Sequence, residues 1–249
     1  MQIVMTAQPH RPPTPAPAHA ERIPGGDGFF QRPSTARILP FATYMAFIAL
    51  ADLLARLGWS DEALRWLYPA KTAAVVGLLW MYRHHYTELA WRTLRWSQAA
   101  AAVVVGVVVL VLWVNLDAAW MQVGASAGFN PTNAAGRIDW LLVAIRVAGA
   151  ALVVPVMEEL FWRSFLMRWI EQRQFLNVYP ARVGTMAVVV SVILFGVEHN
   201  LWFAGIVAGA AYSLLYIKSG NLWSAVLAHA TTNGLLGVWV VVTANWTYW

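Results

Sequence analysis

The sequence predicts an all-α fold, a polytopic transmembrane helical bundle of seven or eight spans, on three observations. Of 249 residues, 59% are hydrophobic and only 12% are charged, whereas a soluble domain carries about 25% charged residues. The apolar residues come in runs close to the ~20 that a helix needs to cross the hydrocarbon core. The basic residues cluster in short loops beside those runs, as the positive-inside bias requires. A net charge of +5 therefore marks loop asymmetry, and no nucleic-acid partner is expected. There is no cysteine, which excludes disulfides, a thiol nucleophile and any thiolate-bound metal.

Residues 1–36 are rich in Pro, Gly and Ala and lack an apolar core, so they read as a disordered cytoplasmic tail and not a signal peptide. Residues 37–249 form the transmembrane domain. Span one covers about 38–57 with one acid, Asp52, and span two about 64–82, with Lys71 near its start. A polar loop with His84, His85 and Glu88 at helical spacing reads as a solvated face. Span three, rich in Val, runs over about 99–116. The Gly, Asn and Pro of 117–139 predict a loop with at most a short interfacial turn. Span four starts near Ile138, carries Arg146, and keeps a helical pattern as far as Tyr179-Pro180. Spans five, six and seven cover about 182–198, 201–217 and 222–243. No internal repeat is present. With the N-terminus inside, twelve Lys and Arg fall on inner segments against three, Arg56, Arg65 and Arg137, on outer loops. This predicts a cytoplasmic N-terminus and puts Glu158 near the cytoplasmic side.

The chemistry concentrates in three apolar spans. Span four contains Glu158-Glu159-Leu160-Phe161-Trp162-Arg163. Each carboxylate there is costly, since a charge at the bilayer centre costs roughly 2.5 kcal/mol or more. Glu159 and Arg163 are i and i+4 and can neutralise each other. Glu158 points about 100° away and is left without that partner. Span five ends Phe195-Gly196-Val197-Glu198-His199-Asn200, and span seven holds His229 and Asn233 one turn apart. These residue types suit peptide hydrolysis, which needs a base for water, a group to hold that water, and donors for the oxyanion. Glu158 and His199 can supply the first two, and His229 with Asn233 the donors. No serine lies in a recognisable nucleophile motif, and Ser164 is too generic to count. Arg146, about 18 Å from Glu158 along the helix, is too far for catalysis. Asp52 and Arg146, at similar depth, are expected to pair.

The motifs EExxxR (Glu158 to Arg163), FxxxH (Phe195 to His199) and HxxxN (His229 to Asn233) stand intact and in order. In this the chain resembles the CPBP family of CAAX-type intramembrane endopeptidases and bacteriocin-processing proteins, over roughly 138–245. The strings around the Glu pair and Glu198-His199-Asn200-Leu201-Trp202 look like its bacterial branch, CAAX prenyl protease-related and associated with exosortase systems. The resemblance implies a CAAX-type endopeptidase of the bacterial inner (plasma) membrane acting on a membrane-associated protein or peptide. It implies Glu158 as the water-activating carboxylate, His199 as the group positioning that water, and His229 and Asn233 as the oxyanion site. Glu159 and Arg163 become supporting residues. A prenylated cysteine, the mark of eukaryotic substrates, does not carry over to bacteria. For cofactors the expectation is none or zinc: Glu158, His199 and His229 make a set that catalytic zinc accepts, and the same residues serve without metal. The rival readings are a catalytically silent chaperone, immunity or scaffold protein, and a transporter, which the missing repeat disfavours.

Overall fold

The structure, a computed structural model, describes residues 28–90, 94–124, 126, 128–133 and 136–249. The expected tail over 1–27 and the basic loop residue Arg92 lie outside the described residues. Among those described, the chain forms seven helices of thirteen or more residues, and no strand. They are α1 (Pro33–Arg56), α2 (Leu67–Met81), α3 (Trp96–Trp113), α4 (Trp140–Glu171), α5 (Thr185–Val197), α6 (Trp202–Ser219) and α7 (Leu222–Thr243). Four of them, α1, α3, α4 and α7, are long and apolar enough to cross a bilayer alone. The chain is an all-α helical membrane bundle.

Its centre is α7, which packs along α3 and α6 and crosses α4, while α1 pairs with α2 and α5 with α6. Small residues make the close crossings, as expected where lipid offers helices no hydrophobic drive to associate. A Cβ on Gly106 of α3 would lie 2.4 Å from the Ala228 carbonyl oxygen of α7. One on Gly205 of α6 would lie 3.0 Å from the Gly196 Cα of α5. Thr232 Oγ1 donates to the Gly106 carbonyl at 2.9 Å, and the Tyr212 hydroxyl of α6 donates to that Thr232 oxygen at 2.8 Å. Three helices are thereby fixed around the turn that carries His229.

Helix α4 departs from regular geometry twice. Gly149–Val153 and Leu160–Leu166 are π-helical, leaving only Val154–Glu159 as α-helix between them. Pro155, which has no N–H to donate, follows the first wide segment. The Ala150 carbonyl five residues before it, the partner a π turn would use, is instead met by Asn233 Nδ2 at 2.9 Å.

Several expectations require correction. Helix α1 starts at Pro33, inside the stretch assigned to the tail, and Thr35, Ala36 and Arg37 are buried. Helix α4 ends at Glu171, well before Tyr179-Pro180. Arg168 turns to the Phe175 carbonyl and the Tyr216 hydroxyl, both at 2.9 Å, and Glu171 accepts from Gly184 N at 2.8 Å, so side chains hold a reversed chain where periodicity suggested more helix. With 32 residues, α4 is about 48 Å long, against ~30 Å of hydrocarbon. Glu158 sits near its middle. Asp52 does not meet Arg146: it pairs with Arg56 at 2.9 Å on the exposed end of α1, since a partner one turn away costs no burial. Glu88 is no solvated residue, for Arg37 grips both its oxygens at 2.8 and 2.7 Å. Ser164 donates to the same carboxylate. A fully buried guanidinium has to find an acid, and helical spacing within the loop could not reveal one 51 positions away in the chain.

Candidate active site

Each motif residue is held by local chemistry. His199 lies just beyond the last turn of α5, where its Nδ1–H donates to the Phe195 carbonyl at 2.8 Å. The helix end leaves such carbonyls without partners, so the i, i+4 spacing of FxxxH is a side-chain cap. Because the carbonyl can only accept, Nε2 of His199 carries the ring's lone pair. Trp113 meets the ring edge-to-face at 5.3 Å and Phe195 tilts against it at 4.9 Å. On α7, His229 directs Nδ1–H to Glu159 Oε1 at 2.9 Å, and its ring stacks on Tyr212 at 4.9 Å. Fully buried Glu159 also accepts from Arg163 Nη1 at 3.2 Å. Arg163 continues to the Gly209 carbonyl at 3.2 Å and lies 4.3 Å from the Phe195 ring centre. Glu159 and Arg163 thus tie α4 to α6 and α7 and orient His229.

Glu158 does none of this. It is buried, and its Oε2 meets no donor among the described residues. A buried acceptor left alone costs roughly 1–3 kcal/mol, so this oxygen is poised for water or substrate. It opens on a cavity of about 820 Å³ that His199, His229 and Asn233 also line, while Glu159 and Arg163 do not. Asn233 spends one N–H on Ala150 and keeps a second N–H and its carbonyl oxygen.

Glu158 and His199 are brought together by the antiparallel contact of α4 with α5. Ser191 Oγ donates to the Trp162 carbonyl at 3.4 Å, which sets the two at one level. From there Glu158 is four residues back, about 6 Å, and His199 eight residues on, about 12 Å, in the same direction. The side chains bridge the remainder into one cavity.

Sequence reasoning missed some of its walls. Glu198 is a third carboxylate lining the cavity, close enough to interact electrostatically with Glu158. Its position next to His199 was the available signal. Tyr44, Trp113 and Tyr212 line the same space, as does Arg146, dismissed on helical rise alone. Rise measures Cα separation, and a cavity this long reaches both residues. Glu158, His199 and His229 do not fit as a zinc set in this arrangement, because no three His, Asp or Glu side chains among the described residues are grouped tightly enough to hold an ion.

A helical membrane bundle whose interior cavity gathers carboxylates, imidazoles and a carboxamide has the makings of a hydrolase built within the bilayer. Residues 140–235 match the family model described as type II CAAX prenyl endopeptidase Rce1-like. That segment contains all three motifs and is similar to the CAAX-type protease family. No curated protein and no solved structure matches the chain.

Proposed function

We propose that the protein is an intramembrane endopeptidase that hydrolyses a peptide bond of a membrane-associated substrate with water activated by Glu158. The single observation behind this is the convergence of Glu158, His199, His229 and Asn233, from three separate helices, on one cavity. Glu158 takes a proton from water while Nε2 of His199 accepts the other O–H and aims the oxygen at the scissile carbonyl. The tetrahedral oxyanion is met by the free N–H of Asn233 and by His229, which donates from Nε2 only as the imidazolium, its Nδ1–H held by Glu159. Glu158 then returns its proton to the leaving amine, which balances the reaction.

The acting atoms all belong to side chains, so activity should survive strong chelators. Activity lost on chelation and restored by zinc would replace this mechanism. The basic-loop asymmetry and the motif strings support a bacterial inner membrane with the N-terminus in the cytoplasm.

The decisive variant is Glu158→Gln. Glutamine keeps the shape but cannot take a proton from water, and general-base catalysis is worth about 10²–10⁴-fold. Turnover should fall at least that far while yield and monodispersity in detergent hold, because Glu158 Oε2 has no hydrogen-bond donor among the described residues to lose. Comparing membrane proteomes of wild-type and Glu158→Gln cells should reveal uncleaved substrate. Near wild-type cleavage by a well-folded variant would end the reading.

A further inference from the structure

Among the described residues, the cavity's walls draw on the loops at one end of the bundle and on none at the other. Its floor is buried, with Glu158, Tyr212 and His229 5%, 1% and 5% exposed. Its rim reaches solvent, for Asp117, Gln122, Asn200 and Thr247 line it and are exposed. These rim residues follow the last turns of α3, α5 and α7, three helices whose C-terminal ends meet at one mouth. Val123 N donates to the Asn200 carbonyl at 2.8 Å, and the Tyr248 hydroxyl donates to Asp117 at 3.2 Å, which ties the three segments into a frame. Irregular backbone in a membrane protein is tolerated where it is buried or borders water, and here it borders the mouth.

The opposite end is plugged. One turn beyond Tyr212, the Tyr216 hydroxyl takes the bond from Arg168 at 2.9 Å. Trp223 Nε1 donates to the Leu89 carbonyl at 2.8 Å, Gln98 Nε2 donates to the Ser219 carbonyl at 3.2 Å, and Arg37 clamps Glu88. Loop charge tells the two ends apart. The mouth segments 114–139, 198–201 and 244–249 hold a single basic residue, Arg137. The loops at the plugged end hold Arg83, Arg92, Arg95, Arg173 and Arg182, with Lys218 beside them at the end of α6. Short loops rich in Lys and Arg stay in the cytoplasm, so the mouth faces outward.

We infer that the site is entered from the extracytoplasmic side, and that its substrate class is the outward-facing segment of a membrane-associated protein, cut only after translocation. The side of entry rests on the cavity and the loop charges alone; that the guest is a peptide rests on the protease reading. The reaction that supplies this substrate is transport of the segment across the bilayer. Water for hydrolysis arrives by the same mouth, since the hydrocarbon core holds none.

The chain has no cysteine, so single introduced cysteines report without background. Met45→Cys and Leu236→Cys each put a thiol on the cavity wall away from the motif residues, Thr247→Cys marks the rim, and Lys218→Cys marks the plugged end. The probe is a sulfonated maleimide, which does not cross membranes, applied to intact and to lysed spheroplasts carrying the full chain. Thr247→Cys and at least one wall cysteine should be labelled in intact spheroplasts, and Lys218→Cys only after lysis. Wall cysteines that label only after lysis, or in neither preparation, would overturn the side of entry, as would Lys218→Cys labelled in intact spheroplasts. No cleavage is read, so failure of the protease reading leaves this measurement intact. The substrate class is read separately, from the proteins that accumulate uncut in Glu158→Gln cells. Their cleavage sites should map to outward-facing segments, and sites in cytoplasmic segments would overturn the substrate class whatever the labelling shows. If nothing accumulates, the protease reading fails and the substrate class with it, while labelling still decides the side of entry.

Discussion

Glu158 and Glu159 are neighbours in sequence and opposites in circumstance. Glu159 holds a histidine and an arginine on one oxygen and is fully buried, whereas Glu158 keeps a buried oxygen free beside the cavity. Glu159→Gln should therefore fail differently from Glu158→Gln. The amide cannot neutralise Arg163, and an uncompensated buried charge costs about 3–5 kcal/mol. Folded yield and thermal stability in detergent should both fall, and the activity of the surviving protein should drop as His229 loses its orienting acceptor. A Glu159→Gln protein that melts like wild type would show that Arg163 needs no counter-charge. The contrast between the two acids was legible in the sequence from i, i+4 spacing. The bond from Glu159 to His229 was not, because it spans 70 positions and no local rule relates them. Glu198 was legible only as the neighbour of His199, since both lie past the helix end, where helical periodicity no longer says which way a side chain faces.

The helices keep the site in place through near-contact of backbones. Gly106 abuts the Ala228 carbonyl one residue before His229, and Gly196 lies against α6 three residues before His199. Gly106→Ala puts a methyl where a backbone oxygen already sits, so α7 must move. Thermal stability and turnover should fall together, although no cavity residue changes. Gly77→Ala on α2, where a Cβ meets nothing within 4 Å, is the matched control and should be silent in both assays. If Gly106→Ala is equally silent, the α3–α7 crossing is looser than described. The existence and order of the seven helices were readable from apolar runs. Their ends were not, because Arg168, Glu171 and Pro33 define them through partners distant in sequence or through capping geometry that hydropathy does not register.

At the scale of the whole molecule, chain-distant segments close both ends of the bundle. At one end Arg37 of α1 joins the loop after α2, through Glu88 and the His85 carbonyl at 3.0 Å, to Ser164 of α4 at 3.1 Å. At the other, Val123 and Asn200 exchange bonds at 2.8 and 3.0 Å, and the Tyr248 hydroxyl donates to Asp117 at 3.2 Å beside the cavity. Arg37→Met should cost about 3–5 kcal/mol by stranding Glu88. Adding Glu88→Leu should recover much of that in a thermal melt, because replacing a buried ion pair by apolar side chains is often neutral. A double variant no better than the single one would show that the pair ties the helices in a way packing cannot replace. The segment matched by the family model, 140–235, includes Ser164 but neither Arg37 nor Glu88, so no motif points to the ion pair at this end.

The two wide turns of α4 also set its phase. A π segment holds one residue more than the α-helical turn it replaces, and one residue is about 100° of rotation. The short α-helical stretch with the Glu pair is therefore dialled away from the face that regular winding from Trp140 would give it. Leu152 lies in the first wide turn, with its side chain 68% exposed. Deleting Leu152 should let that turn relax to ordinary α-helix, a conformation the backbone prefers. The downstream carboxylates would then turn through roughly a quarter-circle, or the half of α4 before them would. Helical content should be unchanged by circular dichroism while cleavage is abolished, an inactivation that removes no cavity side chain.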